Sequence, residues 1–270
     1  METGQTIQRQ SILGVPVDLV DLDRALTLIT TWLFGAQVST GAETELRHIV
    51  TVNPEFVVAA RRDTEFAAVL RRSSLATADG VGITLAGRLL GVPVGERVTG
   101  VDLVEGLAGL SARNDACKLF LLGAGPGVTD DAAARLRERF PGVRIAGVFA
   151  GSSAEAGLAE IEGKLAGSEA TVLLVAFGHP TQDLWIARHR GALAAHGILV
   201  SIGVGGAFDY LSGRVPRAPR LVRRLGLEWL YRLVRQPWRW RRQLALPLFV
   251  LLVLRERLRT LRPATPTTTT

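Results

Sequence analysis

Short apolar runs separated by helical patterns are the feature of this 270-residue chain that most restricts its fold. His48 to Val52, Leu75 to Ala78, Lys118 to Leu122, Arg144 to Phe149, Thr171 to Phe177 and Ile198 to Ile202 read as strands. Helical patterns stand between them near Pro54 to Arg62, Val81 to Leu90, Val101 to Arg113, Val128 to Phe140, Ala154 to Leu165 and Thr181 to Leu193. Near-continuous Val, Leu and Ile in each strand means burial on both faces, and strand-helix alternation supplies the helices that bury them. The expectation is an α/β fold built on a parallel sheet with helices on both faces. In such a sheet ligands bind beyond the carboxyl ends of the strands, so the residues just after each strand are the candidates for chemistry.

Those positions carry glycine beside polar side chains: Thr51-Val52-Asn53, Asp79-Gly80-Val81-Gly82, Gly123-Ala124-Gly125-Pro126-Gly127, Phe177 to Gln182 and Gly203 to Asp209. Glycine lets backbone amides approach a ligand. Gly123-x-Gly-x-Gly lacks the further glycine and the ribose-binding acid of a dinucleotide fingerprint, and reads as a tight turn with a weak phosphate option. Asp79 has two readings of about equal weight. It is either a base at a strand end, close to any bound ligand, or the N-cap of the following helix. Asp21-Leu22-Asp23 precedes the pattern Ala25 to Trp32 and reads as a cap with acids in the first turn. The four histidines, His48, His179, His189 and His196, are scattered, so no metal and no other cofactor is expected.

Charge divides the chain. Fourteen arginines between Arg214 and Arg262 face only Glu228 and Glu256, a net of +12 in a chain of +7, so everything else sums to −5. Trp229, Tyr231, Trp238 and Trp240 interleave with these arginines, and the apolar run Leu244 to Leu254 follows. Arginine attracts phosphate, and Trp and Tyr favour the headgroup boundary, so the combination points to an anionic membrane surface. The run is shorter than the roughly 20 residues a spanning helix needs, which suits an interfacial segment. A buried helix, including one in a contact between copies of the chain, is the plain alternative. Basic residues with aromatics could also meet nucleic acid, but the apolar run argues for lipid, and no nucleic-acid partner is expected.

One body over residues 1–212, an amphipathic basic appendage over 213–262 and a disordered threonine-rich tail over 263–270 are the expected divisions. Met1 to Gln10 is polar and has no apolar core of a secretion signal. Cys117 is the sole cysteine, which suits a reducing cytosol. The chain is therefore expected in the cytoplasm, peripheral on the inner face of the plasma membrane.

Five blocks together carry a resemblance: Thr51-Val-Asn-Pro-Glu55; Ala78-Asp-Gly-Val-Gly82 with Gly87 to Gly91 and Glu96 to Asp102; Phe177-Gly-His-Pro-Thr-Gln182 with Trp185; Gly203-Val-Gly-Gly-Ala-Phe-Asp209 with Gly213 and Arg217-Ala-Pro219; and Gly226-Leu-Glu-Trp-Leu-Tyr-Arg232. In that order the chain resembles the WecG/TagA/CpsF glycosyltransferases, glycosyltransferase family 26, over roughly residues 10 to 245. The resemblance implies a Rossmann-like body with a C-terminal membrane-targeting appendage. It implies an inverting, metal-independent transfer of an N-acetylhexosamine, by default N-acetylmannosamine, from a UDP donor to a polyprenyl-diphosphate-linked N-acetylglucosamine. By the same resemblance the base falls on Asp79 with Thr51 as its polar partner, and Asn53 shares their pocket. Nucleotide contacts fall on Gln182 and Asp209, and leaving-group arginines on Arg232, Arg239 and Arg242. Where the family commonly has Pro-Lys-Gln-Glu this chain has Pro180-Thr-Gln-Asp183, one cation fewer. A membrane-peripheral nucleotide-binding protein without transferase activity would keep the same tail and is the competing reading.

Overall fold

The computed structural model describes residues 7–38, 45–219, 221–222, 227–235, 237 and 240–261. Strands β3 (Arg47–Val52), β4 (Leu75–Ala78), β5 (Leu119–Gly123), β6 (Ile145–Phe149), β7 (Val172–Ala176) and β8 (Val200–Gly203) form one sheet in the order β4-β3-β8-β7-β5-β6. Every pairing in it is parallel. Helices cover both faces, as the apolar strands require. Leu119 and Leu121 of β5 pack with α1 (Leu22–Val38), α5 (Gly100–Ser111) and α6 (Val128–Arg139), while Phe120 and Leu122 pack with α7 (Leu158–Leu165) and α8 (Thr181–Arg188). Alternate residues of one strand thus feed two separate cores.

Several elements depart from the expected pattern. The pattern 181–193 is two helices, α8 and α9 (Arg190–Ala195), broken at His189. The pattern from Ala154 starts with a 3-10 turn, Glu155–Gly157, before α7. Helix α3 (Thr64–Arg72) was not read, because only Phe66 and Leu70 of its residues are buried. An antiparallel hairpin, β1 (Arg9–Ile12) and β2 (Val15–Asp18), was also unread. Its Arg9 donates to both oxygens of the buried Asp18 at 2.7 Å, and Asp18 Oδ2 accepts from Ala76 N of β4 at 2.7 Å. That contact clips the hairpin beside the edge strand and blunts an edge open to pairing. Asp21 does cap, accepting from Arg24 N at 2.7 Å.

The apolar run near the C-terminus forms a helix, Ala245–Thr260, that packs against α2 (Pro54–Ala60) and α4 (Val81–Leu90). Phe249 and Val253 are 3% and 4% exposed and share a core with Val52, Phe56 and Ile83. The run is therefore not a free interfacial segment: one face belongs to the body, and the other presents Val250, Leu251, Leu254 and Leu258 to the outside. Among the described residues, no helix is long and apolar enough to cross a membrane. The tail 263–270 lies outside the described residues.

This docking predicts a split within one helix. Phe249→Ala should lower unfolding stability by about 3 kcal/mol, the usual cost of deleting a buried aromatic ring. Val250→Ala, at a 54% exposed position, should stay within about 0.5 kcal/mol of the parent. Urea titration of the two variants reads the difference, and equal effects would mean that the helix is not seated as described.

Candidate active site

Four neighbouring strands, β4, β3, β8 and β7, end beneath one cavity of ≈690 Å³, a volume within the range of small-molecule sites. Thr51, Asn53, Asp79, Gln182 and Arg242 all line it, so five of the eight residues singled out from sequence converge. Asp209 lies in the first turn of α10 (Ala207–Leu211) and is not among the lining residues, although its neighbours Ala207 and Tyr210 are. Arg239 and the side chain of Arg232 fall outside the described residues.

Each lining group is placed by a local rule. Asn53 is the N-cap of α2, its side-chain oxygen accepting from Phe56 N at 3.1 Å, which leaves its amide nitrogen as the donor toward a ligand. Thr51, 5% exposed, donates to Gly203 O of β8 at 3.3 Å. Asp79 N donates to Val52 O at 2.7 Å and continues the β3 pairing past the strand end. The N-cap of α4 is then Gly80, at φ +92°, with no side-chain cap hydrogen bond. Asp79 thus stands one residue before the cap position, and it lines the cavity.

Gln182 is buried, and its Oε1 accepts from Gly178 N at 3.2 Å and Gly205 N at 3.0 Å. One side-chain carbonyl thereby ties together the loops that follow β7 and β8. Its sequence neighbour Thr181, where the family commonly carries lysine, is exposed and absent from the lining. The missing cation thus falls outside the cavity. The Gly123–Gly127 turn also lies outside the lining, and Arg214 closes on it by donating to Pro126 O at 3.0 Å. A Cβ at Gly123 would stand 2.9 Å from the Ala176 backbone, so close strand packing explains that glycine without a phosphate.

Sequence reasoning assigned no role to Glu55, Arg97, His179, Arg217 or Glu228, which also line the cavity. Arg97 pairs with Glu228 at 3.2 Å, Arg217 with Asp102 at 3.0 Å and Arg242 with Glu55 at 3.4 Å. In each pair one partner comes from the body and the other from residues beyond Gly213. All five stand inside the motif blocks, so the available signal was opposite charge in separate blocks. The rest of the lining is largely apolar and includes Leu85 and Leu89 of α4, Leu246, Val250 and Leu254 of the last helix, and Trp229.

The profile of the glycosyl transferase WecG/TagA/CpsF family matches residues 10–263. This chain belongs to that family. It is similar to an N-acetylglucosaminyldiphosphoundecaprenol N-acetyl-beta-D-mannosaminyltransferase of Bacillus subtilis, 36% identical over 208 residues that cover 77% of this chain and 79% of the relative. A protein of the same description from Bacillus spizizenii is 35% identical over 215 residues, 80% of this chain and 81% of the relative. The matched span takes in the β3, β4, β7 and β8 loops and the last helix alike.

Asp102 gives the site a measurable electrostatic signature. Burial pushes its carboxyl upward, but hydrogen bonds from Thr99 and Arg217 outweigh that and hold it below the ordinary carboxylate range. A lowered folded value means the contribution is complete above the unfolded value, about 3.9, and is lost as pH falls through the folded value. The stability difference between the parent and Asp102→Asn should therefore be largest near neutral pH and shrink on acidification below about pH 4. Chemical denaturation across pH checks this, and a constant difference would mean that the charge pair contributes nothing.

Proposed function

We propose that the chain transfers N-acetylmannosamine from UDP-N-acetylmannosamine to a polyprenyl-diphosphate-linked N-acetylglucosamine in the synthesis of a cell-surface polymer. The observation that carries this reading is that one cavity is lined both by the polar Asp79, Thr51, Asn53 and Arg242 and by the apolar Leu85, Leu89, Leu246, Val250 and Leu254 of two helices. A nucleotide sugar needs only the polar groups; an acceptor with a diphosphate and an isoprenoid chain needs both kinds of lining. Two relatives are described as acting on that acceptor, which supports the choice.

The reaction joins the acceptor hydroxyl to the anomeric carbon and breaks the bond from that carbon to the UDP oxygen. A hydroxyl is a weak nucleophile, so Asp79 accepts its proton as the new bond forms. Attack opposite the leaving group inverts the anomeric centre. UDP departs with extra negative charge on its diphosphate, which arginine neutralises through directed N–H groups. Arg242 stands at the cavity for that task, with Arg232 and Arg239 of the same segment as further proposed contacts. Thr51 and Asn53 orient the reacting sugar or hydroxyl. Gln182 acts mainly by holding two loops, and Asp209 is proposed to act through the position of α10 at most.

The outward face of the last helix and its arginines support a proposed membrane association. The exposed Val250, Leu251, Leu254 and Leu258 would enter the headgroup boundary, and Trp229 and Trp240, 41% and 53% exposed, suit the same depth. The isoprenoid chain would run between α4 and this helix. Anionic lipid on the inner face would meet the arginines at about 1 kcal/mol each.

Asp79→Asn should reduce turnover on the order of 10²-fold or more while leaving UDP affinity within a few-fold, because a general base acts in the transition state. UDP release and calorimetry measure the two quantities. Activity near that of the parent would remove Asp79 from the mechanism. Co-sedimentation with anionic vesicles should fall with added salt yet persist in part, since the apolar term is not screened. Absence of binding to any vesicle would leave the apolar face to a contact between copies of the chain.

A further inference from the structure

Arg242 lies on a four-residue helix, Trp240–Gln243, with its side chain 38% exposed. A long, partly exposed arginine on so short an element needs something to fix its direction. Three contacts do so. Its Nε lies 3.4 Å from Glu55 Oε2, its Nη2 lies 2.8 Å from His179 Nδ1, and His179 Nε2 lies 3.3 Å from the same Glu55 oxygen. Guanidinium has only donors, so Nδ1 must accept. The single proton of a neutral imidazole then sits on Nε2, the nitrogen 3.3 Å from Glu55 Oε2.

We propose that His179, in its neutral Nε2-protonated form, and Glu55 are positioning residues that seat the Arg242 guanidinium over the cavity. Glu55 pairs with the Nε edge at 3.4 Å and His179 accepts one Nη2–H at 2.8 Å, and the remaining N–H groups of Arg242 are the proposed donors to a diphosphate. Glu55 is fixed in the first turn of α2, immediately after Pro54. His179 is fixed from the other side by the loop that Gln182 latches, and its ring packs tilted against Phe56, centroids 5.1 Å apart. The two supports therefore come from separate strand ends, β3 and β7. A cationic imidazole would turn an N–H against the guanidinium, so the seat requires the neutral ring. The arrangement aims one arginine of the C-terminal segment with groups owned by the body.

This inference rests on the UDP-sugar reading of the cavity. The test is a double-mutant cycle on the full chain with His179→Ala, Arg242→Ala and the pair, reading UDP affinity by calorimetry and kcat by UDP release. His179→Ala should lower kcat about tenfold or more, as loss of orientation does, with acceptor KM little changed. In the Arg242→Ala background the same substitution should change kcat and UDP affinity less than about twofold, because residues acting through one another are not additive. His179→Asn, whose side-chain oxygen can accept in place of Nδ1, should recover most of the loss, and His179→Lys none of it. Thermal melting of each variant separates misfolding from misplacement. Additive losses, or no rescue by Asn in a folded variant, would overturn the positioning role. A parent chain that binds no UDP would overturn the donor reading and this inference with it, whereas UDP binding with an additive cycle would overturn the inference alone.

Discussion

Parallel pairing of all six strands is the constraint from which the rest of the structure follows. It sends every strand end to the same side, so residues separated by more than a hundred positions, such as Asn53 and Gln182, meet without any long excursion of the chain. The order β4-β3-β8-β7 then puts the four informative loops side by side. The Gly123 turn follows β5, one strand further out, and for that reason falls outside the cavity. A phosphate-like sequence at the wrong strand is only a turn.

The C-terminal segment is less an addition to this body than a wall of its site. Phe249 and Val253 bury in a core of the body, and the pairs Arg97–Glu228, Asp102–Arg217 and Glu55–Arg242 join the two parts beside the cavity. Exposed or half-exposed ion pairs contribute little stability each. Their value here is direction, since they hold flexible arginines at chosen points. Apolar burial seats the helix and charge aims its neighbours. The same helix keeps an apolar outer face, with Val250, Leu251, Leu254 and Leu258 exposed, the face proposed to meet lipid.

Much of this was legible in the sequence because the strands are buried on both faces and so read as continuous apolar runs. Leu75 to Ala78 and Val81 to Leu90 were bounded as they stand in the structure, helped by Asp79-Gly80 between them. The hairpin Arg9 to Asp18 was not legible, because an arginine-aspartate clip and a short partly exposed pair leave no periodic signal. Composition could not say which residue caps α4; the cap position falls on Gly80 at positive φ, one residue after Asp79. The amphiphilic run Leu244 to Leu254 reads first as a lipid segment and second as a buried helix because its apolar residues are contiguous, and contiguity hides which face meets protein. The roles of Glu55 and His179 were hidden for a different reason: each is an ordinary polar residue until Arg242 arrives from the far end of the chain.

The proposed chemistry of the cavity is the joining of a nucleotide sugar to a lipid-linked acceptor. Mass spectrometry of the lipid fraction tests it, after the purified chain is incubated with UDP-N-acetylmannosamine and a polyprenyl-diphosphate-linked N-acetylglucosamine. The expected result is a lipid heavier by a single N-acetylhexosamine, formed in step with an equal amount of UDP. An unchanged lipid, with UDP either retained in the donor or released by hydrolysis alone, would contradict the claim.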